Sequence, residues 1–116
     1  MENFRQCLAI LVVEDIAWIR SGMKDAVERC GYHAFEATND TEAFELAEQE
    51  SIDLILSEEE LPTFNALMKR LSEHSTLSST PVAIINPDAE DGARLGDAYL
   101  LADFADITSL LAVLRH

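Results

Sequence analysis

Three carboxylates stand out by type and position: Glu14, Asp15 and Glu58. Glu14 and Asp15 close the apolar run from Cys7 to Val13, and Glu58 follows Ile52-Asp53-Leu54-Ile55-Leu56-Ser57, ahead of Glu59, Glu60, Leu61 and Pro62. Gathered carboxylates offer hard oxygen donors. These suit Mg²⁺, which takes one or two carboxylates, a carbonyl and several waters. Brought close together, the three groups would repel one another, so one carboxyl would keep its proton to higher pH or an ion would be recruited. A bare or protonated acid cluster is the competing reading, and for the Glu58 stretch alone the plainest reading is a polar loop after a core strand.

The elements that would position these groups follow from hydrophobic spacing. Cys7 to Val13 and Leu54 to Leu56 are short, branched, unbroken apolar runs, the pattern of strands covered on both faces, which occur mainly in parallel sheets. From Ile16 onward the period changes: Ile19, Met23, Ala26, Val27 and Cys30 share one helical face, and Gly31 supplies a stop, giving a helix of roughly four turns. Tyr32 to Ala37 reads as a strand, and Asn39 with Glu42 has the form of a capping box. Ala43, Leu46 and Ala47 make the stripe of a second helix ending near Glu50. Phe64, Leu67, Met68 and Leu71 make a third, and Pro81 to Asn86 a buried strand. Asp88 to Asp97 holds two glycines and four acids, so at most a short, weak helix fits there. Ala98 to Ala102 reads as a fifth strand and Asp106 to Arg115 as the last helix. The alternation predicts an α/β fold, a doubly wound five-stranded parallel sheet with its fourth helix short or missing. In such sheets ligands bind beyond the carboxyl ends of the strands, where Glu14, Asp15 and Glu58 stand.

Composition narrows the classes. At 116 residues with 48% hydrophobic content, residues 1–116 are the size of one compact domain with its own core. The 22 acids against 8 basic residues give a charge of −14, which repels phosphate backbones and anionic membranes and argues against direct nucleic-acid binding. The apolar runs are too short to span a membrane and the first residues lack signal-peptide character, so a cytoplasmic location is the default expectation. Cys7 and Cys30 are far apart and lie in apolar patterns, as buried free thiols of a reducing compartment would.

The order and spacing of Val12-Val13-Glu14-Asp15, Asp53-Leu54-Ile55-Leu56-Ser57-Glu58 with Leu61-Pro62, Pro81-Val82-Ala83-Ile84-Ile85-Asn86 and Tyr99-Leu100 resemble the receiver domain of two-component response regulators. The resemblance spans nearly the whole chain and implies a flavodoxin-like fold in which an aspartate after the third strand takes a phosphoryl group from a histidine kinase. That position is Glu58 here. The family's hydroxyl residue after the fourth strand falls at Asn86, and its lysine after the fifth strand at Ala102. The acidic pair, Glu14 and Asp15, and the switch aromatic, Tyr99, match. The family's lysine is followed by a proline through a cis bond. Ala102 is followed by Asp103, where cis would cost about 3 kcal/mol, so a trans link is expected. Glutamate carries its carboxylate about 1.5 Å further than aspartate, and in-line phosphoryl transfer tolerates little misplacement. The resemblance, with these changes, implies a degenerate, pseudo-receiver module rather than an enzyme. It would signal by binding a histidine kinase or other signalling protein through the face formed by the fourth helix, fifth strand and last helix, with dimerisation left open. Glu58 would partly mimic phosphoaspartate.

Two other readings compete. One is a working phosphorelay receiver that takes phosphate at a non-standard residue such as Ser57. The other is a metal-binding flavodoxin-like domain or enzyme, for which no glycine-rich phosphate loop, Ser-His pair or Cys nucleophile is present. His33, His74 and His116 are scattered and read as surface residues. Trp18 follows the acidic pair and would pack on its helix, form a lid or meet a partner.

Overall fold

The structure, a computed structural model, describes residues 8–57 and 64–114. Strands β1 (Ala9–Val13), β3 (Leu54–Ser57) and β4 (Val82–Ile85) form the sheet centre. They are flanked by β2 (His33–Ala37) on one side and β6 (Ala98–Leu101), then β5 (Arg94–Leu95), on the other. All pairings among the first five named are parallel. Helices α1 (Ala17–Arg29) and α4 (Asp106–Leu114) cover one face, α2 (Asp40–Gln49) and α3 (Phe64–Ser72) the other. The doubly wound parallel arrangement is the one the periodicities predict.

The reason lies in alternation within the central strands. Ile10 and Val12 point to Met23 and Val27 of α1 and to Ile107 and Leu111 of α4, whereas Leu11 and Val13 join Ala43, Ala47, Leu67 and Leu71 on the opposite face. Each helix presents residues four apart, one stripe per face. The branched residues of β1 and β3 are fully buried. Each such side chain contributes about 1.5–3 kcal/mol.

Two local details refine the sequence reading. Asn39 caps α2 as expected, its Oδ1 accepting the Glu42 N–H at 2.9 Å. The Glu42 carboxylate, however, reaches one residue further back, accepting the Thr38 hydroxyl at 2.7 Å and the Thr38 N–H at 2.8 Å. Gly31 ends α1 at φ +93°. Cys30, the residue before it, is a free thiol that is half-buried rather than buried, because it closes the helix instead of facing the core. Cys7 lies outside the described residues.

The larger difference is at the sheet's far edge. The fourth helix is missing: among the described residues none lies between β4 and β6. In its place Arg94–Leu95 pairs antiparallel with Ala98–Tyr99, so the sheet has six strands, not five. Leu95 stands opposite Ala98, leaving Gly96 and Asp97 as a two-residue turn with Gly96 at φ +59°. A positive φ at the first turn residue is what tight hairpins require. The dipeptide Gly-Asp between short apolar residues was the legible sign of it.

Candidate functional site

Register brings the predicted positions to one end of the sheet. Val13 stands beside Ala37 and Ser57, Ser57 beside Ile84, and Ile85 beside Leu101. The chain leaves β1, β3, β4 and β6 at one pole, carrying Glu14, Asn86 and Ala102 there. Glu58, with Glu59 to Pro62, lies outside the described residues.

The acidic pair divides into an inner and an outer member. Glu14 continues the ladder past β1, its N–H donating to the Ala37 carbonyl at 3.0 Å. It is only 1% exposed, with Oε2 accepting the Ile16 N–H at 2.8 Å. That bond fixes the chain entering α1, whose N-cap, Ile16, has no side chain able to cap. Asp15 is exposed. Trp18, 77% exposed in the first turn of α1, neither packs on its helix nor covers the acids.

A basic side chain that the sequence reading did not place at this pole is Arg20. Its Nη1 donates to the Glu14 carbonyl at 2.9 Å, and its Nε lies 3.4 Å from Glu36 Oε1, while Lys24 Nζ is 3.5 Å from Glu36 Oε2. Arg20 lies one turn into α1, its N–H bonded to the Ile16 carbonyl, which brings its side chain back over the end of β1. The helical spacing put Arg20 outside the apolar stripe. Its reach to the strand end had no separate sequence sign.

Past β4, the Asn86 N–H donates to the Leu101 carbonyl at 2.8 Å. Its side-chain Oδ1 accepts the Asp88 N–H at 3.0 Å and its carbonyl the Ala89 N–H at 2.8 Å. The carboxamide oxygen is thus turned onto its own loop, an Asx turn. Past β6, Ala102 is exposed and the link to Asp103 is trans. The Asp103 N–H instead donates to Asp106 Oδ2 at 3.2 Å, an anchor for the start of α4. Tyr99 is half-buried, with the Arg94 guanidinium 4.1 Å from its ring centroid. Ser57 is fully buried.

The donors at this pole are carboxylate oxygens, the chemistry Mg²⁺ prefers. Among the described residues, no three His, Cys, Asp or Glu side chains gather as a metal site. Glu14 and Asp15 each bring a carboxylate to the chain just past β1. His33 is exposed at a sheet edge against Phe35, and His74 accepts the Thr76 and Leu77 N–H groups on Nδ1. His116 lies outside the described residues.

A family profile described as the response regulator receiver domain matches residues 10–103. The transcriptional regulatory protein CrdR of Helicobacter pylori is 34% identical in an alignment of 94 residues, covering 79% of this chain and 43% of that protein. The chain therefore spans less than half the length of that curated relative. Among solved structures, the chemotaxis response regulator CheY4 of Vibrio cholerae superposes with a TM-score of 0.73 at 20% identity, covering 94% of this chain and 99% of that one. The receiver domain of the sensor histidine kinase PA1611 of Pseudomonas aeruginosa, solved with a magnesium ion coordinated in its active site cleft, gives 0.76 at 20% identity, covering 96% and 100%.

Proposed function

The chain belongs to the response regulator receiver family, and from that premise we propose that it is an atypical receiver that acts through protein contacts without being phosphorylated. Receiver domains are signalling domains of two-component systems, and their partners are histidine kinases and other signalling proteins. The observation that carries the finer reading is Ala102, which follows β6 as an exposed methyl where the family places a lysine. Phosphoryl transfer depends on positioned groups and on cations that meet the developing charge. Arg20, a cation near this pole, is engaged by the Glu14 carbonyl and Glu36. The Asn86 side-chain oxygen is held by its own loop, and Glu58 replaces the acceptor aspartate.

Glu14 and Asp15, with Glu58, are the residues that would hold Mg²⁺, whose charge would offset the repulsion among them. The partner in this reading is a histidine kinase or another signalling protein, and the acidic surface does not suit nucleic acid. No described helix is long and apolar enough to cross a membrane. Phosphorylation at Ser57 is not favoured, since its hydroxyl is buried within the sheet.

Intact mass after incubation with Mg²⁺ and a small phosphodonor tests the reading. The wild-type chain is expected to gain no phosphoryl group, whereas the triple variant Glu58→Asp/Asn86→Thr/Ala102→Lys gains one. Uptake by the wild type overturns it.

A further inference from the structure

The pole opposite Glu14 and Asp15 holds an open cavity of about 870 Å³, within the roughly 300–1,000 Å³ of small-molecule sites. It lies beneath the starts of three neighbouring parallel strands, where Asp53, Pro81 and Asp97 are the residues immediately before β3, β4 and β6. Extended to these residues, the register sets Asp97 level with Pro81 and Asp53 one residue below. At about 4.8 Å per strand the two aspartates stand about 10 Å apart at the backbone. Pro81, between them, has no N–H to offer either carboxylate. Leu71, Val82 and Leu111, all buried, form an apolar floor, and Leu114 edges it.

The polar wall is rich in acceptors. Ionised aspartates accept only. Ser72 and Ser79 donate their hydroxyl hydrogens to the Lys69 and Thr76 carbonyls at 2.8 and 3.0 Å, which leaves oxygen lone pairs for a ligand. α3 runs to Ser72 and α4 to Leu114, so two helix carboxyl termini bring their partial negative charge here. Lys69, the one basic residue lining the cavity among the described residues, is exposed, and its long stem lets the ammonium turn to water.

We propose that this cavity binds a linear aliphatic polyamine. One ammonium group meets Asp97, a second lies toward Asp53, and the methylenes between them cover the apolar floor. Asp53 Oδ2 accepts the Ala9 N–H at 2.7 Å, so Asp53 serves the fold and acts on the ligand through its charge. A metal ion does not suit the cavity, because the floor of leucine and valine offers it no oxygen ligands. An anion does not suit it either, since two carboxylates and two helix carboxyl termini repel negative charge. The charge of −14 draws cations to the whole surface, so the spacing of the two aspartates and the apolar floor supply the selectivity. This site does not depend on whether the opposite pole is phosphorylated.

The test is amide chemical-shift mapping of the whole chain at physiological salt with spermidine, with putrescine as a shorter diamine and hexylamine as a single-charge control. Spermidine is expected to shift residues 69–72, 78–82, 97–99 and 111–114 selectively and to bind more tightly than either control. Asp97→Asn, at an exposed turn position that asparagine suits, weakens binding roughly threefold. Lys69→Gln, which removes the opposing charge, tightens it by a similar factor, a gain that misfolding cannot produce. Asp91→Asn, which removes an exposed acid outside the cavity, leaves it unchanged. The proposal is overturned by no binding, by shifts spread over the acidic surface or centred on Glu14, or by equal binding of putrescine or hexylamine. Equal losses in Asp97→Asn and Asp91→Asn, or no gain in Lys69→Gln, also overturn it.

Discussion

Glu14 stands at the acidic pole and also serves the fold there. Its carboxylate is shielded from water and turned to the Ile16 N–H, so it does for α1 what a capping side chain does elsewhere. Its carbonyl is held in turn by Arg20. The backbone at this pole is therefore tied down by a residue outside the motif. Arg20 is mostly buried while its partner Glu36 is more than a third exposed, so the ion pair is weak and the bond to the carbonyl dominates. Arg20→Gln is expected to destabilise the chain by about 1–2 kcal/mol, read as a lower urea midpoint with unchanged slope. A midpoint equal to wild type would show that the guanidinium is only a surface charge. The acids at this pole were legible from their place after apolar runs. Arg20 was not, because helical periodicity says which face a residue occupies but not how far its side chain folds back.

At the scale of elements, α2 and the β5–β6 hairpin show where local chemistry could and could not be read. Asn39 with Glu42 announced the start of α2. What the spacing did not tell was that Glu42 would take Thr38, whose hydroxyl and N–H offer it two donors. The Thr38 hydroxyl first, then the Thr38 N–H, with a further contribution from the Arg20 charge, hold the Glu42 carboxyl below the usual glutamate range. Because the folded value is the lower one, the unfolded chain binds more protons as pH falls. The stabilisation is complete above the ordinary glutamate range and is lost as pH drops through the lowered value. In urea unfolding across a pH series, the advantage of wild type over Glu42→Gln should shrink toward acid, whereas Asn39→Ala should cost about 1 kcal/mol at every pH. A gap between wild type and Glu42→Gln that stays constant with pH would contradict the assignment. The hairpin was half legible: glycines and acids argued against a helix, while the pairing of Arg94 with Tyr99 depends on a tertiary edge that only β6, already docked on β4, can provide.

Across the whole molecule, the doubly wound sheet was readable because β1, β3 and β4 are apolar on both faces and the helices each carry one stripe, a consistency between local and global pattern. What distinguishes this receiver lies outside that pattern: a pole with acids but an alanine just past β6, and an edge where a hairpin takes the place of a helix. On the proposed reading, the surface formed by the hairpin, β6 and α4 does not respond to phosphodonor. Amide spectra of the wild-type chain in Mg²⁺, recorded before and after adding a small phosphodonor, test this. The resonances of residues 86–114 are expected to stay where they are. A new, phosphodonor-dependent set of shifts for Asn86, Tyr99 and the α4 residues would contradict it.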